Sequence, residues 1–288
     1  METLVVFDML HKKRSSKRGM GPVISTVIMT GAMVAILSVT LVFANNFLWT
    51  RVAEGEFDSS KQLMRTVGLQ IDDVAWTVGR TETMSFASQY GAVELEPLVV
   101  NYTISVIDGD TESYIFSNVT GALMFNLPTS RYSITNNYWQ RIFPDQNESL
   151  TLKGTSAPVV RVFAVEKVPM SDGSYIRVVV VPAVRVLYSS INSTSKTYYI
   201  RMYLPVLSAG ESPRLSQSIT LTGESLKAYT INDVDSINVT VSFPKVDFDS
   251  AFFNFPFEYE DIFVPTSGYD NVVVEFYLSE VSVEFGVN

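Results

Sequence analysis

The chain has 288 residues, enough for a membrane segment plus one large or two small domains. With 30 acidic against 21 basic residues the net charge is −9, which argues against nucleic acid as a partner, because phosphate contacts need Lys and Arg. There is no Cys, and the single His is His11, so beyond the first residues Cys-type zinc sites, Cys nucleophiles and His-based triads are excluded.

In chain order, residues 1–19 read as a short cytoplasmic leader. Leu4-Val5-Val6-Phe7 is apolar but far too short to span a bilayer. Five basic residues (Lys12, Lys13, Arg14, Lys17, Arg18) and two acids (Glu2, Asp8) give the leader +3, leaving −12 on the remainder. From Met20 to Thr50 no residue is charged. Roughly thirty residues at about 1.5 Å each make about 45 Å of helix, long enough to cross a hydrocarbon core. Pro22 sits at the start, where a missing N–H costs a helix little. The basic leader stands on one side, and Glu54, Glu56 and Asp58 on the other. Positive charge stays inside, so the N-terminus is expected in the cytoplasm and everything after Thr50 outside.

At the junction, Lys17-Arg18-Gly19 abuts Met20-Gly21-Pro22-Val23-Ile24-Ser25. This resembles the class III signal peptide of archaeal type IV pilins and archaellins, over about the first fifty residues. The resemblance implies cleavage by a prepilin peptidase between Gly19 and Met20, with the helix retained on the mature protein. It also implies homo-oligomeric assembly through that helix, with the pilus assembly machinery as a partner. Bacterial type IV pilins carry Glu at the fifth mature position; here that position is Ile24, which fits the archaeal branch. Two other readings compete. One is an uncleaved single-pass anchor carrying a non-polymerising surface domain. The other is an ordinary secretory signal cut near Val42-Phe43-Ala44, for which the apolar run is far too long.

Residues 51–80 continue as an amphipathic helix. Met64, Val67, Ile71, Val74 and Val78 recur at spacings of three and four, one apolar stripe. The expected layout is thus a leader (1–19), an N-terminal helix (20–80, membrane-spanning over 20–50) and an extracellular all-β domain (81–288). The fold class is α+β, a long helix followed by an antiparallel β-sandwich or barrel. Period-two patterning predicts strands at 98–106, 113–117, 122–127, 150–153, 159–168, 175–188, 196–207, 218–222, 237–243 and 272–285. Asp172-Gly173 marks a hairpin turn. Ser208–Pro213 is the best loop and a possible division of the β region. Phe253, Phe255, Phe257 and Tyr259 alternate, which puts four rings on one face of an edge strand or extended loop, since Pro256 cannot donate to a ladder. That face is either a flap over the core or a subunit contact.

No GxSxG, P-loop or GxGxxG motif is present, and no carboxylate pair stands out, so no enzyme activity and no cofactor are expected. Acidic clusters at Asp233/Asp235, Asp247/Asp249 and Glu258/Glu260/Asp261 lack the Gly of a calcium loop and read as surface solvation. Five Asn-X-Ser/Thr sequons, at Asn101, Asn118, Asn147, Asn192 and Asn238, all fall on the outward side and are candidate glycan acceptors. Asn101 and Asn238 lie in predicted strands, so their side chains must face solvent if they are used.

Overall fold

The computed structural model describes residues 20–109, 111–145, 149–192, 196–210, 217–232, 234–265 and 267–286. It divides into two compact units, Met1–Trp49 and Thr50–Asn288. Helix α1 (Met20–Ala75) is unbroken, which no Pro after Pro22 opposes. It ends five residues short of the predicted boundary. Thr77 N–H donates to Val74 O (3.2 Å), and Gly79 takes φ +81°, a left-handed conformation that a side-chain-bearing residue resists.

The second unit is β-rich and mostly antiparallel. One sheet joins β1 (Thr81–Ser85), β10 (Ser218–Asn232), β13 (Asn271–Phe285), β9 (Lys196–Ala209), β8 (Arg185–Asn192) and β5 (Leu152–Lys153), in that order. The other joins β12 (Tyr259–Ile262), β11 (Ser236–Ser242), β2 (Ala92–Asp108), β3 (Thr111–Pro128), β7 (Tyr175–Pro182), β6 (Val160–Glu166) and β4 (Tyr138–Phe143). Two pairs, β9 with β13 and β5 with β8, run parallel, which corrects a wholly antiparallel expectation.

Several predicted strands change at their boundaries. Segments 113–117 and 122–127 fuse into β3. Gly121 sits inside it because a Cβ there would stand 3.1 Å from Glu96 O and 3.3 Å from Leu207 O. Conversely, 175–188 is two strands in different sheets, breaking at Ala183-Val184. Strand β7 is buried on both faces. Ile176, Val178 and Val180 belong to one core cluster, Val179 and Val181 to another. A strand buried on both faces loses its alternation and reads as one apolar run. Asp172-Gly173 does lie between antiparallel partners β6 and β7, with Gly173 at φ +131°. Ser208 and Ala209 belong to β9, and residues 211–213 of the predicted loop lie outside the described residues.

The helix stripe is longer than the sequence suggested at one end and shorter at the other. Ala53, Phe57, Ser60, Met64, Val67, Ile71 and Val74 are buried, at spacings alternating between four and three. Phe57, Met64, Val67, Ile71 and Val74 share a core cluster with alternate residues of β3, β6, β7, β10 and β13. Val78 lies past the helix end and is exposed. Gly68 lets the helix close on β6, since a Cβ there would meet Val160 Cγ2 at 2.9 Å and Val162 Cγ2 at 3.2 Å. The second cluster fills the space between side chains of both sheets, including Tyr102, Ile104, Phe163, Val179, Met202, Val239 and Phe276.

The four-ring face does not form. Asp249 caps a single helical turn, α2 (Ser250–Phe253), by accepting from Phe252 N–H (2.8 Å), and Asn254 closes it in the left-handed conformation. That turn breaks the alternation. Phe253 and Phe255 enter the core, whereas Phe257 and Tyr259 are exposed.

Candidate functional site

Within the first unit, every described side chain from Val23 to Trp49 is exposed, including Val27, Ile36, Leu41 and Phe43. Among the described residues one helix is long and apolar enough to cross a membrane. The polar side chains it carries are partly neutralised from within. Thr30 Oγ1 donates to Thr26 O and Thr40 Oγ1 to Ile36 O, each at 2.8 Å, the bonding that lets a hydroxyl sit in an apolar solvent. Charge begins at its end, where Arg51 pairs with Glu54 at 2.6 Å. An ideal Cβ at Gly21, Gly31 or Gly55 would meet nothing within 4 Å. Of the processing pair, Met20 opens α1 and Gly19 lies outside the described residues.

The sequons are placed unequally. Asn118 is exposed, and its Oδ1 accepts from Val119 N–H (2.8 Å). Asn101 is half-buried and donates to Ser242 Oγ (3.3 Å). Asn238 is 8% exposed. With its amide oriented so that the nitrogen faces the surrounding acceptors, that nitrogen donates to Asp261 Oδ1 (2.5 Å) and lies within reach of Tyr259 Oη (3.2 Å) and Ile237 O (3.3 Å), so the side chain does not face solvent. Asn147 and the side chain of Asn192 lie outside the described residues.

The acidic clusters are not merely solvated. Asp247 accepts from Ser171 N–H (2.8 Å) and from the Ser171 hydroxyl, which hold its carboxyl below the usual range. Asp249 caps α2 and takes Lys167 Nζ at 2.9 Å. Burial alone would raise its pKa, but Lys167 and the Phe252 amide pull it down. Glu260 fastens the segment before and within β5, accepting from Thr151 N–H (2.7 Å), Ser149 Oγ (3.0 Å) and Lys153 Nζ (2.7 Å). Its half-burial is opposed by these donors, which leave its pKa depressed. Glu56 on α1 does the same for the turn before β2, accepting from Gln89 N–H (3.2 Å), Tyr90 N–H (3.2 Å), Gly91 N–H (2.9 Å) and the Ser88 hydroxyl. Sequence reading missed these clamps because each carboxylate lies more than thirty residues from its partners, apart from Asp249 in its own cap and Tyr259 beside Asp261. Among the described residues no group of three or more acidic or His side chains is placed to hold a metal ion.

No protein-family model matches this chain, and no curated protein and no solved structure matches it either.

Proposed function

We propose that this chain is the structural subunit of an archaeal type IV pilus-like surface filament, made as a single-pass membrane protein with its N-terminus inside. In this reading a prepilin-type peptidase cleaves after Gly19. The helices from Met20 onward pack against copies of themselves, and the β-rich unit, read as an extracellular β-sandwich, coats the outside. The mechanism is assembly without catalytic turnover. Among the described sequons, Asn118 is the exposed one and the acceptor best suited to carry a glycan.

The observation that carries this reading is the division of α1. Its outer part buries an apolar stripe from Ala53 to Val74, whereas the side chains from Val23 to Trp49, most of them apolar, are exposed. Exposed surface of that extent requires lipid or other helices. The Lys17-Arg18-Gly19 junction favours helices after processing.

Two measurements test it. N-terminal sequencing of the membrane-derived protein should begin at Met20; an intact leader in cells with an active peptidase would refute processing. Gly31→Leu separates a filament from a lone anchor. A Cβ added at Gly31 meets nothing within 4 Å among the described residues, and Leu is at least as apolar, so membrane abundance should be unchanged. Close helix packing tolerates it poorly, so filament yield by negative-stain microscopy should fall. Normal filaments from the variant, or none from the wild-type chain under any growth condition, would leave the solitary surface anchor as the better account.

A further inference from the structure

We propose that the β-rich unit holds one halide-sized anion in a cavity between edge strand β4, its neighbour β6 and the end of α2. The cavity is small, about 10 Å³, room for roughly one water-sized sphere. Trp139 and Arg141 on β4, Arg161 and Phe163 on β6, and Phe253 on α2 line it.

The polar groups of these residues are donors. Trp139 Nε1 is buried and has no hydrogen-bond partner, and the same holds for Arg161 Nε. The rest of the Arg161 guanidinium is anchored, its Nη2 donating to Ser149 O and, at 2.9 Å, to Leu150 O. Those acceptors are carbonyls, so the charge is not neutralised there. Arg141 lies over the Trp139 ring at 5.7 Å, and among the described residues neither arginine forms an ion pair. Glu260 acts on Arg161 only through space, being committed to Lys153, Thr151 and Ser149. Among the described residues the only other polar side chain on the lining, Asn254, is exposed.

Among the described residues, two guanidinium groups with no ion-pair partner and two N–H donors with no acceptor belong to the lining of one small space, an anomaly in a chain of net charge −9. A buried donor left unmade is costly, and a buried charge more so. Water satisfies such a lining poorly, because it brings two hydrogens of its own that then need acceptors. A monatomic anion accepts from every direction and cancels charge as well. Bound there, it would tie β4, which has a neighbour on one side only, to β6.

The test uses the full chain in detergent. Crystals grown in sodium bromide should show an anomalous bromide peak between the Trp139 and Arg161 side chains; an ordered water or an empty cavity there overturns the proposal. Thermal melts at constant ionic strength, exchanging gluconate for chloride, should rise and saturate, since gluconate is too large to enter. Trp139→Phe keeps the ring stacked on Phe163 (5.7 Å between centroids) and removes one donor. It should weaken the half-saturating chloride concentration at least about tenfold, the loss expected for a hydrogen bond to a charged acceptor. A chloride response that is absent in the wild type, or unchanged in the variant, refutes the site. If the variant does not fold, the bromide crystals decide.

Discussion

Replacing Ile71 by Ala tests whether the outer part of α1 is a core element of the β-rich unit. Ile71 is fully buried and sits mid-stripe between Val67 and Val74, in the cluster formed with β3, β6 and β7. The change deletes three carbons. At about 0.8 kcal/mol per buried CH₂ the transfer loss is about 2.4 kcal/mol. The neighbours are held on two fronts. Gly68 already brings the helix against Val160 and Val162, and β7 is packed on both faces, so collapse into the space is limited and a cavity cost adds to the loss. The expected destabilisation is about 3 to 4 kcal/mol, inside the range for buried Ile to Ala. The assay is urea unfolding of the full chain in detergent, followed by tryptophan fluorescence. The slope should stay constant while the midpoint falls. Leu69→Ala is the control, because Leu69 is 50% exposed and should cost under about 0.5 kcal/mol. Equal losses for the two variants, or a loss below 0.5 kcal/mol for Ile71→Ala, would refute the packing argument.

Further expectations concern the clamps and the close approaches. Glu56→Ala removes the acceptor for the amides of residues 89–91 and should cost about 1–3 kcal/mol, with faster amide hydrogen exchange at those positions; unchanged exchange would refute the clamp. Gly223→Ala should destabilise strongly, by more than about 2 kcal/mol, because its Cβ would stand 2.4 Å from Val74 O and 2.8 Å from Thr77 O; wild-type melting would contradict this. Asp172→Ala strands Arg177, which is fully buried and bonded to both Asp172 oxygens at 2.7 Å, and should cost about 3 kcal/mol, read from the same urea midpoints. The carboxyl of Glu260 is depressed in the fold by Lys153, Thr151 and Ser149 despite its burial. Its contribution is therefore complete above the unfolded carboxylate range and is lost as pH falls through the lower folded value. Glu260→Gln should flatten that acid limb of a pH–stability curve, and an identical curve would show that other groups carry it.

Local signals in this sequence were those that need no partner. An uncharged run from Met20 to Thr50 marks one long apolar helix whatever surrounds it, because backbone bonding is internal to a helix. The three–four stripe from Met64 to Val74 announced a buried face, since helical periodicity places those side chains together before any contact forms. Alternation in Val100, Tyr102, Ile104 and Val106 marked the inward face of β2 for the same reason, and all four are buried. What the tertiary structure decided were matters of who lies beside whom. Residues 175–188 became two strands only because Ala183-Val184 carries the chain from one sheet to the other. Strand β4 pairs with β6 although nothing between Tyr138 and Phe143 alternates clearly. The aromatic run at Phe253 was broken by a cap whose second anchor, Lys167, lies 82 residues away. Glu56, Glu260 and the donor-lined cavity at Trp139 and Arg161 depend on partners from separate strands and loops, and long-range placement of single polar groups leaves no periodic trace in a sequence. Apolar burial repeats along an element and can be read locally; hydrogen bonds between distant segments are made once and become visible only when the chain is folded.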